Sequence, residues 1–376
     1  MKIPLYIPSI SRKDKHMMLN ALDDPQLTDG PRLRKFESKF GYFTKSKFSM
    51  GVSNGTSAIH LTLKALDIKK GDEVIVPDLT FIATANAVLH CGATPIPADI
   101  DSTLNISIKS IEEKITNKTK AIIPVHFAGS VCNIMDIIKI GKKNNIKIIE
   151  DCAHSLGAFF KNKHVGTFGI AGCFSFYPTK NITTIEGGMV ITDSNIISKK
   201  ITQARNHGLS KSLIERHMKN KPWIYDMKDF GYNFRLDEVR SSLGLSQLLR
   251  IKDLEAKRIN AAKYYNKKLE NVKGIETPST YVGKNHIYHL YIIKINKSFG
   301  ISRNKVHEKL INQGIFTTVH YKPIHKFSYF KKLGFKDKDY SSTMDAYREC
   351  LTLPLYPTIK RIEQDYIISN LLKLQK

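Results

Sequence analysis

The chain has 376 residues, 41% of them hydrophobic and 9% aromatic, enough to build one large domain with a smaller one or two of similar size. Its formal net charge of +25 comes from 59 basic against 34 acidic residues, spread over the whole length with no dense basic arm; this speaks against a nucleic-acid binder and leaves a surface that would attract a small anion. No apolar run reaches spanning length, the N-terminus MKIPLYIPSISRKDKHMM does not read as a signal peptide, and five scattered cysteines (Cys91, Cys132, Cys152, Cys173, Cys350) without CxxC spacing argue against a disulfide framework or zinc site and predict a reducing, cytoplasmic setting.

Two short helical patterns come first, around Lys13–Leu22 and Arg32–Phe40, separated by a loop ending in Gly30-Pro31. Phe48–Val52 reads as a strand leading through Ser53-Asn54-Gly55-Thr56-Ser57 into a helix with Ile59, Leu63 and Leu66 on one face. A strand, a glycine turn with hydroxyls and a helix start present free N–H groups to an anion, although Ser and Thr also serve as ordinary N-caps. Strands and helices then alternate: strand Glu73–Val76, helix Thr80–Leu89, strand Thr94–Ala98, helix Ile108–Ile115, strand Ala121–Val125, helix Asn133–Lys142 and strand Ile146–Ile149, ending in Glu150-Asp151. Such alternation predicts an α/β fold built on a mostly parallel sheet covered on both sides. Ligands of such sheets lie at the carboxyl ends of the strands, where Asp151 and Phe81 fall.

The run Cys173–Phe176 predicts a buried strand that breaks at Pro178, and Lys180 follows. After a second strand, Met189–Thr192, the pattern turns helical: a helix over Ile196–Asn206, a loop over His207–Lys228, and one long helical stretch from Asp237 towards Leu269, a spine between domains. Beyond Pro278 a strand is predicted over His286–Ile295, a helix over Arg303–Asn312, a strand over Ile315–Val319, and closing helices. The expected division is a large α/β domain over 1–250 and a small C-terminal α+β domain over 251–376.

A lysine at a strand's end with its amine facing the interior can form an imine with an aldehyde cofactor. A phosphorylated pyridine aldehyde also needs a carboxylate to keep its ring nitrogen protonated, a phosphate cradle, and a flat apolar group against the ring. Lys180, Asp151, the Asn54–Ser57 turn with Ser175, and Phe81 could supply these in turn. Each alone has an ordinary alternative: a surface lysine, a helix cap, a plain strand residue, plain core.

Over nearly its full length the chain resembles the pyridoxal-phosphate-dependent sugar aminotransferases of the DegT/DnrJ/EryC1/StrS family, which have the aspartate-aminotransferase (type I) fold. The resemblance is carried by QLTDGPRLRKFE (26–37), SNGTSAIHL (53–61), PDLTFIATANAVLHCGATP (77–95), EDCAHSLGA (150–158), SFYPTKNITTIEGGMV (175–190), GYNFRLDEVRSSLGLSQL (231–248) and VHYKPIH (319–325). It implies that pyridoxal phosphate and its pyridoxamine form are the cofactor. Lys180 would hold the aldehyde and move the proton, Asp151 would pair with the ring nitrogen, and His154 would lie near the phenolic oxygen. Phe81 would stack on the ring, and Thr56, Ser57 and Ser175 would bind the phosphate. Asn233 would reach the phosphate of the partner subunit, so a homodimer with shared active sites is expected. Arg235 and His320-Tyr321-Lys322 are candidates for the nucleotide-sugar pocket; the ordinary alternative is that they only order a loop. The intact lysine speaks against the branch that has histidine there and removes a sugar hydroxyl.

The reaction so implied carries an amino group from an amino acid, L-glutamate, to the ketone of a nucleotide-linked keto-sugar. The resemblance is greatest to enzymes that aminate C4 of a UDP-linked 4-keto-6-deoxy-hexosamine; GDP-perosamine-type or dTDP-sugar C3/C4 amination is the alternative. A non-catalytic cofactor sensor or nucleic-acid binder would need an appended domain for which the match leaves no room. The sequence marks no arginine for the donor's carboxylate, and Arg303, Arg348 and Arg361 have no placement in it.

Overall fold

Strand residues with successive side chains on opposite faces assemble the sheet that dominates the structure, a computed structural model describing residues 1–210, 223–280 and 286–375. In chain order the strands are β1 (Phe48–Val52), β2 (Glu73–Pro77), β3 (Thr94–Ala98), β4 (Thr119–Ile122), β5 (Lys147–Asp151), a small antiparallel pair β6 (Phe159–Phe160) and β7 (Lys163–His164), β8 (Ala171–Ser175) and β9 (Gly188–Thr192). Seven of them form one sheet in the order β1-β9-β8-β5-β4-β2-β3, in which β9 alone runs antiparallel to its neighbours.

The alternation decides which helices cover which face. Ile75, Ile122, Ile148, Phe174 and Met189 point to one face, against α2 (Pro31–Thr44) and α6 (Ile134–Lys143). Val74, Val76, Ala121, Ile149, Cys173 and Val190 point to the other, against α3 (Gly55–Ala65), α4 (Ala83–His90) and α7 (Asn195–Ala204). The remaining helices of this half are α1 (Arg12–Leu22), closed by a Ser11/Asp14 capping box, and α5 (Ile108–Lys114). Burial on both faces is why these strands read as continuous apolar runs.

A second core gathers around the antiparallel sheet of β10 (Ile275–Glu276), β11 (Tyr291–Ile295) and β12 (Cys350–Leu353). The single long helix expected over Asp237–Leu269 is two, α8 (Glu238–Leu248) and α9 (Ile251–Leu269). Neither proline nor glycine breaks it. Arg250 leaves the helical conformation (φ −117°, ψ 16°), and its guanidinium bonds Asp14 Oδ2 at 2.6 Å and the carbonyl of Ser9. The helix α9 serves both cores: its first turns (Ile251, Leu254) pack with the large sheet, and Ala261 to Leu269 pack with the second core. Ile3 also enters the second core, through a bridge to Ile315.

Three other expectations change. The helix expected from Thr80 begins at Ala83, which leaves Thr80 and Phe81 on a loop. Of His286–Ile295 only Tyr291–Ile295 is strand, because Ile287 and Leu290 instead donate to the carbonyls of Gly129 and Ala128 beside the large sheet. Ile315–Val319 makes only two single bridges, to Ile3 and Thr352, in place of a strand. The chain closes with α10 (Arg303–Asn312), α11 (Ser328–Lys331), α12 (Ser341–Glu349) and α13 (Arg361–Leu372). Residues 211–222 of the expected His207–Lys228 loop lie outside the described residues. No described helix is long and apolar enough to cross a membrane.

Candidate active site

Strands β1, β2, β5 and β8 share one direction, and the chain leaving each of them lines a cavity of about 580 Å³ at their carboxyl ends. β1 delivers Asn54, Gly55 and Thr56 at the start of α3; β2 delivers Thr80 and Phe81; β5 delivers Asp151 and His154; β8 delivers Ser175, Tyr177 and Lys180. His320 and Tyr321 close the cavity from the opposite side. Eight of the residues singled out in the sequence therefore meet in one place: Thr56, Phe81, Asp151, His154, Ser175, Lys180, His320 and Tyr321.

Lys180 is half-buried, and desolvation of its ammonium pulls its pKa down to about 8, against the opposing attraction of Asp151. Burial pushes the Asp151 carboxyl up. The Ala153 N–H (3.0 Å), the Thr84 hydroxyl (2.9 Å) and the Lys180 charge oppose that rise. Thr84 is itself 3.1 Å from Thr80 Oγ1, so the loop after β2 and the first turn of α4 fix the carboxylate's orientation. Behind Asp151, the neighbouring Glu150 is fully buried. Its Oε1 accepts the N–H groups of Phe168 and Gly169 and its Oε2 that of Gly166, each at 2.7 Å, and Oε2 also lies 3.0 Å from His126 Nε2. His126, Glu150 and Cys152 converge as metal ligands can, but with both carboxylate oxygens engaged this group serves to anchor the end of β5.

His154 is buried, and burial, followed by the charges of Lys180 and His320, holds its pKa well below the usual histidine value. Its Nδ1 accepts the Ala128 N–H at 3.3 Å, offered by a left-handed backbone (φ 54°), a conformation alanine adopts only when its surroundings hold it there. A neutral ring accepting at Nδ1 carries its proton on Nε2, 3.2 Å from the Tyr321 hydroxyl. His154 therefore donates to Tyr321, and the phenol keeps its own proton for another acceptor. Burial lowers His320 to about 4, with Lys180 acting in the same sense, and its Nδ1 meets Thr352 Oγ1 at 2.8 Å.

The sequence-derived residues outside this cavity have other surroundings. Ser57 is buried beneath the α3 N-terminus, where its N–H (2.8 Å) and hydroxyl (3.0 Å) both donate to Asn54 Oδ1, the N-cap. Asn233 bridges to Asn206, and Arg235 Nη1 donates to Asn206 Oδ1 at 2.6 Å, away from the cavity. Lys322 Nζ sits over the Phe327 ring at 4.8 Å. Arg303 binds the carbonyls of Cys350 and Tyr347, Arg348 pairs with Asp345, and Arg361 covers the Tyr264 ring. Sequence reasoning missed Thr84, Tyr177 and Glu186, which line the cavity. Thr84 lies three residues past Phe81, one helical turn, which is the only signal it carried.

The residues present fit pyridoxal phosphate. An amine with a pKa near 8 and a held carboxylate open into the same cavity, and Phe81 exposes 55% of its surface beside them. At Gly55 a Cβ would lie 2.8 Å from Ser175 Cβ, so glycine keeps open the approach to the amide groups at the start of α3.

This fold and site define an aminotransferase of the pyridoxal-phosphate type I class. The model of the DegT/DnrJ/EryC1/StrS aminotransferase family matches residues 8–372, and the chain belongs to that family. SpsC of Bacillus subtilis, a spore coat polysaccharide biosynthesis protein, is 36% identical over 370 residues, covering 97% of this chain and 95% of SpsC. Helicobacter pylori PseC, an aminotransferase involved in pseudoaminic acid biosynthesis, superposes with a TM-score of 0.93 at 31% identity over 100% of this chain and 99% of PseC. Spr1654 of Streptococcus pneumoniae in its pyridoxamine-phosphate form gives a TM-score of 0.93 at 29% identity, over 99% of each chain, and its pyridoxal-phosphate form gives 0.92.

Proposed function

We propose that the chain is a transaminase that moves an amino group from L-glutamate to C4 of a nucleotide-linked 4-keto-6-deoxy sugar, a UDP-linked hexosamine above all, in the making of a surface glycan. The observation that carries this reading is the convergence of Lys180 and Asp151 on one cavity at the carboxyl ends of the sheet. The likeness over the whole of both chains to PseC, an aminotransferase involved in the biosynthesis of pseudoaminic acid, supports a sugar acceptor, and the likeness to SpsC supports the polysaccharide setting.

When bound, pyridoxal phosphate supplies the electron sink that lets the bond to hydrogen at the amine-bearing carbon break. The chain's residues do the rest. Lys180 would hold the aldehyde, and its free Nζ would take and return the proton; a pKa of about 8 makes this amine an effective base near neutral pH. Asp151, oriented by Thr84 and Ala153, keeps the ring nitrogen charged. The α3 N-terminus with Thr56 and Ser175 holds the phosphate. Phe81 and Tyr321, with ring centroids 5.6 Å apart, limit water on the exposed side. His154 and Tyr321 place a phenolic proton for an oxygen in the cavity.

Asn233 is exposed and lies outside its own cavity, in keeping with the reading that it reaches the site of a second copy in a homodimer; Arg235 stays a candidate for the nucleotide-sugar pocket. None of the five cysteines is in a disulfide, which favours a cytoplasmic enzyme. Incubation with L-glutamate and a panel of UDP-, GDP- and dTDP-linked 4-keto-6-deoxy sugars, with products read by mass, tests the proposal. An amino sugar from the UDP series is expected. A product only from the GDP or dTDP series would replace the substrate assignment, and no amino sugar from any of them would refute the function.

A further inference from the structure

Asp78 is fully buried at the end of β2, and His325, 247 positions later, is 1% exposed. The two are bound more thoroughly than an ion pair requires. Asp78 Oδ1 accepts the His325 backbone N–H at 2.9 Å, Oδ2 faces His325 Nδ1 at 2.6 Å, and the Asp78 carbonyl accepts the Ile324 N–H at 2.9 Å. The far side of the imidazole is occupied too: Nε2 lies 3.2 Å from Asp337 Oδ1, and the ring stacks on Tyr340 at 4.6 Å and 16°.

This clasp joins two segments that each place an aromatic ring in the cavity lining. Three residues after Asp78 comes Phe81; four residues before His325 comes Tyr321. The Tyr321 ring lies 5.6 Å from Phe81 and 6.1 Å from Phe127, and its hydroxyl meets His154. Burying a carboxylate and an imidazole costs desolvation that their mutual contact only offsets, so stability alone is a weak reason for this pairing. Fixing a loop in one place is a better one.

We propose that Asp78 and His325 are positioning residues: their clasp sets the placement of Tyr321 in the cavity lining, and through it the contacts with His154 and Phe81. The inference rests on the active-site reading given above.

The test uses His325→Ala, the conservative His325→Gln, whose amide can still donate to Asp78, and Tyr321→Phe, singly and combined. In the cofactor-free protein, amide hydrogen exchange of residues 319–325 should quicken about ten-fold or more in His325→Ala, while peptides of the seven-stranded sheet keep their protection; His325→Gln should restore most of it. In protein loaded with pyridoxal phosphate, the pH midpoint of the visible absorption band should move in the same direction in His325→Ala as in Tyr321→Phe, and the double variant should move no further. Unchanged exchange at 319–325, loss of protection throughout the sheet, or additive shifts would overturn the proposal. Failure of the protein to take up pyridoxal phosphate would refute the cofactor reading instead, and the exchange experiment would still decide the clasp.

Discussion

Lys180 should cost the folded, cofactor-free protein stability at neutral pH, and replacing it by methionine should recover that cost. Burial brings its pKa from 10.5 to about 8. Below pH 8 both folded and unfolded chains hold the proton, and the folded state carries the whole penalty of a desolvated ammonium. Between about 8 and 10.5 the unfolded chain holds a proton that the folded chain has released, so stability rises with pH across that window and the penalty is gone above it. The displacement corresponds to about 3 kcal/mol, and partial access of solvent to the side chain reduces this to about 1–3 kcal/mol. Methionine keeps most of the volume and has no charge to desolvate. Urea unfolding of cofactor-free Lys180→Met and wild type at pH 7 should show the variant more stable by that amount, with the difference shrinking towards zero at pH 10.5. A variant of equal or lower stability at pH 7, or a gain that does not depend on pH, would refute the burial and the ionisation assigned to Lys180. The same substitution should abolish turnover and the attachment of pyridoxal phosphate by borohydride.

The rate at which wild type captures pyridoxal phosphate covalently should rise with pH around a midpoint near 8, since only the neutral amine attacks; a midpoint near 10.5 would return Lys180 to the solvent. Asp151→Asn should still bind the cofactor but slow the glutamate half-reaction by about 100-fold or more, read as loss of the visible band; near-normal rates would remove Asp151 from the ring nitrogen. Thr84→Val deletes the 2.9 Å hydrogen bond to Asp151 and should slow the same step by about ten-fold with a melting temperature within a few degrees of wild type. If two subunits share each site, co-expressed Lys180→Ala and Asn233→Asp chains, each inactive alone, should recover about a quarter of wild-type turnover, because mixed dimers keep one intact site of two. No recovery in dimers shown to be mixed would place Asn233 outside the partner's site.

What the sequence disclosed and what it withheld divide along the range of the interactions involved. The large sheet was legible because strands buried on both faces must be apolar throughout, and helices between them such as α6, with Ile134, Ile137 and Ile140, carry an apolar stripe. Lys180 was legible because a buried aromatic run ends in proline two residues before it. The break between α8 and α9 was not, because its cause is Asp14 and Ser9, more than two hundred positions away, drawing Arg250 out of the helix. The same holds for the shortened strand before Tyr291, whose backbone is diverted to Ala128 and Gly129.

The candidate site shows the division within a few residues. Asp151 stood out as an acid at a strand end, but its orientation depends on Thr84, 67 positions upstream, and no local pattern separates that threonine from an ordinary first-turn helix residue. His154 was marked by the resemblance, but its tautomer is set by a backbone N–H on a left-handed alanine. A motif therefore names groups that are able to do chemistry, whereas their protonation and aim come from backbone amides and hydroxyls supplied by other segments. For that reason substitutions such as Thr84→Val, which leave every motif intact, are the sharper probe of how the cavity works.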